Sequence, residues 1–196
     1  MPRLHHPRLV LASASPRRAE ILRSAGIPFR ILPASVDESP RKGESPARYA
    51  ARLARAKALA ATRHVRGPAI ILGADTVVVL GRKILGKPSS LAHARRMLRL
   101  LSGRTHRVLT AVALLRLAPG GRRMRLLSAV ESTRVSFARL SPREIAAYVA
   151  TGEPIGKAGA YAIQGRAGKF ITRIEGCYFN VVGLPLARLS RLLRSL

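Results

Sequence analysis

Asp75 stands between two apolar runs, Ala69-Ile70-Ile71-Leu72 and Val77-Val78-Val79-Leu80, two residues after Gly73. The chain has only nine acids against 36 lysines and arginines, so a carboxylate in such a setting is conspicuous. Burying it without a partner is very costly. Its chemical readings are a metal, a lysine or a substrate water as partner; its structural reading is an Asp that ends a strand and caps a turn. Gly73 reads as a place where a ligand can come close. Glu38, in Val36-Asp37-Glu38, is the second acid of interest, although by itself it fits a solvated loop. Arg17 and Arg18 follow Ser13-Ala14-Ser15-Pro16 at a helix start, where the dipole disfavours cations. A phosphate-rich ligand would satisfy both the arginines and the helix N-terminus. Two solvated arginines are the plain alternative.

The elements that must position these groups follow from local pattern. Leu9-Val10-Leu11 reads as a strand covered on both faces, and Ser15-Pro16 as N-cap and N1 of a helix stopped at Gly26. Phe29–Leu32 is a weak strand, 33–44 a polar loop, and Ser45-Pro46 opens a helix running to about residue 64. Its apolar stripe is read as Tyr49, Leu53, Ala56 and Ala60, with Lys57 beside it. Ala69–Leu80 reads as a strand pair broken or bulged at Gly73. A tight turn at Gly81-Arg82, a short return strand, a helix from about Ser90 to Leu101 and a long hairpin around Pro119-Gly120-Gly121 follow. Ser141-Pro142 opens another helix, 153–183 reads as strand and turn, and an amphipathic helix begins near Leu184. The sum is an α/β fold on a mixed sheet with flanking helices, a single domain over 1–196 in two lobes without a separable linker.

Composition narrows the function classes. Hydrophobic residues make up 47%, which argues against disorder, and no apolar run is long enough to span a bilayer. The first seven residues lack the apolar core of a secretory signal, and Cys177 is the only cysteine, so the expected location is the cytoplasm. The net charge of +27 comes from arginines spread over nearly every segment. Such a field attracts polyanions, giving weak, salt-sensitive nucleic-acid binding without sequence preference. With eight Phe and Tyr in total and no Trp, there is no stacking set for specific recognition.

Eight blocks in order carry a more specific signal: Leu11-Ala12-Ser13-Ala14-Ser15-Pro16-Arg17-Arg18, Val36-Asp37-Glu38, Ala56-Lys57-Ala58, Gly73-Ala74-Asp75-Thr76-Val77-Val78, Gly86-Lys87-Pro88, Leu101-Ser102-Gly103, Lys157–Gly165 and Asn180–Pro185. Over residues 8–190 the chain resembles the Maf family of nucleoside triphosphate pyrophosphatases, in its dTTP- and UTP-directed branch. The resemblance implies a homodimeric enzyme with a deep cleft between two α/β lobes, similar to inosine triphosphate pyrophosphatases. It implies hydrolysis between the α- and β-phosphates of a nucleoside triphosphate, with Mg²⁺ or Mn²⁺ as divalent cofactor. By matching position, Asp75 is the proton acceptor and, with Glu38, a metal ligand; Lys57 and Lys87 stabilise charge. Ser13, Arg17 and Arg18 match the phosphate loop, and Thr76 and Gln164 the positions tied to base choice. One departure is Gly156, where the family usually has Asp before Lys157. A basic nucleic-acid-binding or cell-division regulatory protein, and an inactive family member, are the competing readings.

Overall fold

The computed structural model describes residues 8–196; the N-terminal stretch inspected for a secretory signal lies outside them. In chain order the elements are β1 (Arg8–Leu11), α1 (Pro16–Ser24), β2 (Phe29–Ile31), α2 (Pro46–Ala61), β3 (Ala69–Leu80), β4 (Lys83–Leu85), α3 (Leu91–Leu101), β5 (Thr105–Leu117), β6 (Arg123–Phe137), α4 (Pro142–Ala150), β7 (Ile171–Glu175), α5 (Tyr178–Val182) and α6 (Leu186–Arg194). The strands form one seven-stranded sheet in the order β2-β1-β3-β5-β6-β7, with β4 on β3. β1 runs parallel to both β2 and β3, whereas β4 pairs with β3 and β7 with β6 in antiparallel fashion. Parallel neighbours need a crossover between them, and α1 and α2 supply the two required here. The mixed α/β class expected from the pattern is the one observed.

Four local expectations change. β3 is one continuous strand of 12 residues, not a pair broken at Gly73. The buried positions of α2 are Ala50, Leu53, Ala54, Lys57, Ala58 and Ala61, so the buried stripe includes Lys57 itself. Alanine fits either face of a helix, which is why the stripe could be read about one residue out of phase. Ser45 and Ser141 do cap their helices, the latter in a full capping box with Glu144, but the Ser15 side chain makes no capping bond. Residues 153–183 hold two 3₁₀ turns and the short α5 as well as β7.

The contacts divide the chain into two compact units. The first comprises the described residues up to Asp75, Ala111–Val130 and Gly183–Leu196. Its interior includes Leu9–Leu11, Ile21, Leu22, Leu53, Ile71 and Leu72, with Leu184 and Leu189 from the C-terminal segment. The second comprises Thr76–Thr110 and Glu131–Val182, around Val78, Leu98, Leu101, Val108, Val135 and Phe137. Half of the chain's eight Phe and Tyr residues, Phe137, Tyr148, Tyr161 and Phe170, are committed to ring contacts inside this unit.

His106 sits in that aromatic cluster, edge-on to Phe137 and Tyr161, with Nε2 2.8 Å from the Tyr161 hydroxyl. Burial pulls its pKa down from 6.5 to about 4. The unfolded chain therefore takes up a proton that the folded chain refuses, so stability is whole above pH 6.5 and falls as the pH drops toward 4. Between about pH 7.5 and 5 the loss from this residue is about 2 kcal/mol. Urea midpoints measured across that window should show it, and His106→Gln, which cannot titrate, should remove most of it. An equally steep loss in the variant would refute the assignment.

Candidate active site

In the first unit, Lys57 gathers the two singled-out acids. Its Nζ lies 2.7 Å from Asp75 Oδ1 and 2.7 Å from Glu38 Oε1. Lys57 and Asp75 are 9% and 7% exposed, whereas the Glu38 side chain is 43% exposed. The lysine thus bridges a buried acid and one open to solvent. Of the partners considered for Asp75, the lysine is the one observed. Burial raises the Asp75 carboxyl above its ordinary pKa, against the opposing pull of Lys57 and Arg18. Oδ1 carries the bond to Lys57, while Oδ2 brings lone pairs of its own to the site.

Gly73 explains how these groups come together. A Cβ at Gly73 would lie 2.1 Å from the carbonyl oxygen of Ala54 and 2.8 Å from the amide nitrogen of Ala58, both backbone atoms of α2. The glycine admits a helix rather than the ligand expected of it. That close approach sets Lys57, next to Ala58, against Asp75, two residues beyond Gly73.

The loop bearing Glu38 is tied to the same helix. The Tyr49 hydroxyl donates to the Glu38 carbonyl at 2.7 Å, and Arg52 donates to the Ser39 carbonyl at 3.0 Å. Arg52 also grips Glu44 through Nε and Nη2, at 2.7 and 2.8 Å. Sequence reasoning missed both holders. The signal available for Tyr49 was its i, i+4, i+8 spacing with Leu53 and Lys57.

Arg18 is buried and donates through Nε to the Gly183 carbonyl at 2.9 Å and through Nη1 to Ser13 Oγ at 3.0 Å. Ser13 Oγ also accepts from the Ser15 amide at 3.2 Å. Burial lowers the Arg18 pKa, with Asp75 pulling the other way. One of the two first-turn arginines therefore shapes the Ser13 loop, while Arg17 is half-buried.

In the second unit, Thr76 follows Asp75 directly and meets Thr110, oxygen to oxygen, at 2.9 Å. Lys87 is exposed in the turn after β4, and the carbonyl of adjacent Gly86 accepts from the Gly159 amide at 3.0 Å. Gln164 is exposed in a turn closed by the Gly165 amide bonding to the Ala162 carbonyl at 3.1 Å. Glu153 underlies this turn, accepting from the Arg166 amide at 3.0 Å and from the Tyr148 hydroxyl at 2.9 Å. Gly156 has φ +75° with open space around it, and Lys157 reaches back to the Glu153 carbonyl.

Residues 8–196 match the family described as Maf-like protein. The chain belongs to the Maf family. A Pelotomaculum thermopropionicum protein named dTTP/UTP pyrophosphatase is 52% identical to this Maf chain over 186 residues, 95% of each. A Koribacter versatilis protein of the same name is 50% identical over 186 residues, covering 95% of this chain and 93% of its own. Among solved structures, a HAM1 protein from Coxiella burnetii is similar in fold, with a TM-score of 0.52 and 17% identity over 97% of this chain and 100% of that one.

The donor set of the Maf chain can also be tested against a cation. Among the described residues no group of three or more His, Cys, Asp and Glu could hold a metal. Glu38 and Asp75, converging on one ammonium, are a two-carboxylate set. That suits Mg²⁺ or Mn²⁺, which a protein holds with one or two carboxylates beside substrate phosphates and water. It does not suit a zinc site, which takes three or four protein ligands. No helix among the described residues is long and apolar enough to cross a membrane.

Proposed function

We propose that this Maf protein is a nucleoside triphosphate pyrophosphatase that hydrolyses dTTP and UTP to the monophosphate and pyrophosphate. The observation that carries the reading is the convergence of Glu38, Lys57 and Asp75 on one point, in a chain about half identical to proteins named for this activity. Water adds at the α-phosphorus, the bond to the β-phosphate oxygen breaks, and one proton is released. Asp75 accepts the water's proton, its raised pKa making it a better base than an ordinary aspartate. Lys57 moderates that basicity and holds the carboxylate in place through its 2.7 Å bond.

Glu38 and Asp75 would hold the divalent cation, Mg²⁺ or Mn²⁺, which supplies charge neutralisation on the phosphate oxygens. Arg17 and Lys87 stabilise the departing pyrophosphate, and Arg18 keeps the Ser13 loop in shape to receive phosphate. Thr76 and Gln164 face the base. The Gln164 amide offers one acceptor and two donors, enough to pair with N3–H and O4 of thymine or uracil. A nucleic-acid-binding role finds no support in the aromatic residues, half of which are packed in one core.

Pyrophosphate release from a triphosphate panel tests the reading. dTTP and UTP should be turned over well ahead of dCTP, CTP, ATP and GTP, and only with a divalent cation. Gln164→Glu should cut dTTP and UTP turnover selectively, because an ionised carboxylate cannot donate to O4. A preference for purines, or an unchanged ranking in the variant, would overturn the base assignment.

A further inference from the structure

Gly165 lacks a side chain for a reason of space, not of backbone angle. Its φ of −104° lies in the extended region that any residue adopts. The three atoms nearest to an added Cβ all belong to the Glu153 carboxylate, with Cδ at 2.6 Å and Oε2 at 2.7 Å. A carboxylate thus fills the place of a side chain, one residue beyond Gln164.

That carboxylate joins the turn to α4. Oε1 accepts from the Tyr148 hydroxyl at 2.9 Å, and Oε2 from the Arg166 amide at 3.0 Å. Behind it, the Thr151 hydroxyl accepts from the Glu153 amide at 3.2 Å and donates to the Tyr148 carbonyl at 2.7 Å. The Tyr148 ring stands edge-on to Phe170, the last residue of the 3₁₀ turn that follows Gly165, with centroids 5.4 Å apart. Two main-chain bonds close the turn itself: the Gly165 amide to the Ala162 carbonyl at 3.1 Å, and the Gly168 amide to the Gly165 carbonyl at 3.0 Å. The backbone on either side of Gln164 is held, and its exposed side chain starts from a fixed base.

An amide by itself cannot choose between thymine and guanine. Thymine offers N3–H beside O4 and guanine offers N1–H beside O6, so both present one donor next to one acceptor. They differ in reach, because the second ring of guanine carries that edge farther from the sugar. Only an amide fixed in position can read the difference. We propose that Glu153 is a positioning residue for base selection: it clamps the turn bearing Gln164 at the reach of a pyrimidine, leaving no room for the guanine edge. This rests on the reading of Gln164 as base-facing.

The test is kcat and KM for dTTP and dGTP with the whole protein, comparing wild type, Glu153→Ala, Glu153→Gln, Gly165→Ala and Gln164→Ala. Glu153→Ala removes the clamp, so the turn can give way to the longer base. The preference for dTTP over dGTP should fall roughly tenfold, mainly through a lower KM for dGTP. Gly165→Ala should do the same from the other side, since its methyl pushes the carboxylate off the Arg166 amide. The atoms it displaces end a flexible side chain, so this variant carries the test if Glu153→Ala does not fold. Glu153→Gln should keep the wild-type ratio, because its oxygen still accepts from Arg166 and its NH₂ can donate to the Tyr148 hydroxyl oxygen. An unchanged ratio in Glu153→Ala and Gly165→Ala, with a reduced one in Gln164→Ala, would overturn the clamp and leave Gln164 base-facing. An unchanged ratio in Gln164→Ala would overturn the base-facing reading, and the proposal with it. Equal losses on both nucleotides in Glu153→Ala would show the carboxylate to serve the fold alone, against the proposal.

Discussion

Asp75→Asn is expected to lower dTTP turnover by about 10²–10⁴-fold while the protein stays folded and still binds the nucleotide. The substitution keeps the size of the side chain and leaves an amide oxygen to accept from Lys57, so the packing of α2 on β3 should survive. What disappears is a carboxylate able to take a proton. Burial raises the Asp75 pKa above the ordinary carboxylate range. The protonated, inactive form therefore persists to higher pH than for an exposed aspartate. In the wild type the acid limb of kcat/KM should therefore lie above about pH 4, activity falling as pH drops through it. The remaining activity of the variant should lose this limb. Steady-state kinetics across pH, with nucleotide binding measured calorimetrically, checks both parts. Wild-type turnover in the Asn variant would remove Asp75 from the reaction.

Gly73→Ala is expected to have the largest effect on stability. The added methyl would stand 2.1 Å from the Ala54 carbonyl oxygen, and this is a backbone atom in the middle of α2 rather than the end of a flexible chain. Relief requires the helix to back away from β3 by about an ångström or more, opening the interface along Ala54 and Ala58. A cost of about 3 kcal/mol or more follows, a fall in Tm of about 6–12 °C for a chain of this length. The same displacement withdraws Lys57 from Asp75, so whatever folded protein remains should also be slow. Gly86→Ala is the control for stability. A Cβ there meets nothing within 4 Å, so its effect should stay within about 0.5 kcal/mol. Equal melting temperatures for the two variants would show that the close contact at Gly73 is not needed.

These results turn on a division between what is written locally and what is assembled at a distance. The helix starts at Ser45-Pro46 and Ser141-Pro142 are written locally, since a serine that caps and a proline that lacks an N–H act within one turn. The order of the longer strands and helices was legible too, because burial imposes a period that can be read along the chain, whereas the short α5 within 153–183 was not. Asp75 was marked as well, since a carboxylate among buried aliphatic residues needs a partner wherever the strand ends up.

Which partner that is depends on the folding of distant segments onto one another. Lys57 is 18 residues away from Asp75 and is joined to it only because Gly73 lets α2 and β3 touch. The purpose of that glycine was not legible, because an absent side chain records that something comes close without recording what. Arg18 reaches the Gly183 carbonyl across 165 residues, and Thr110 reaches Asn180 across 70. Neither separation leaves a periodic trace.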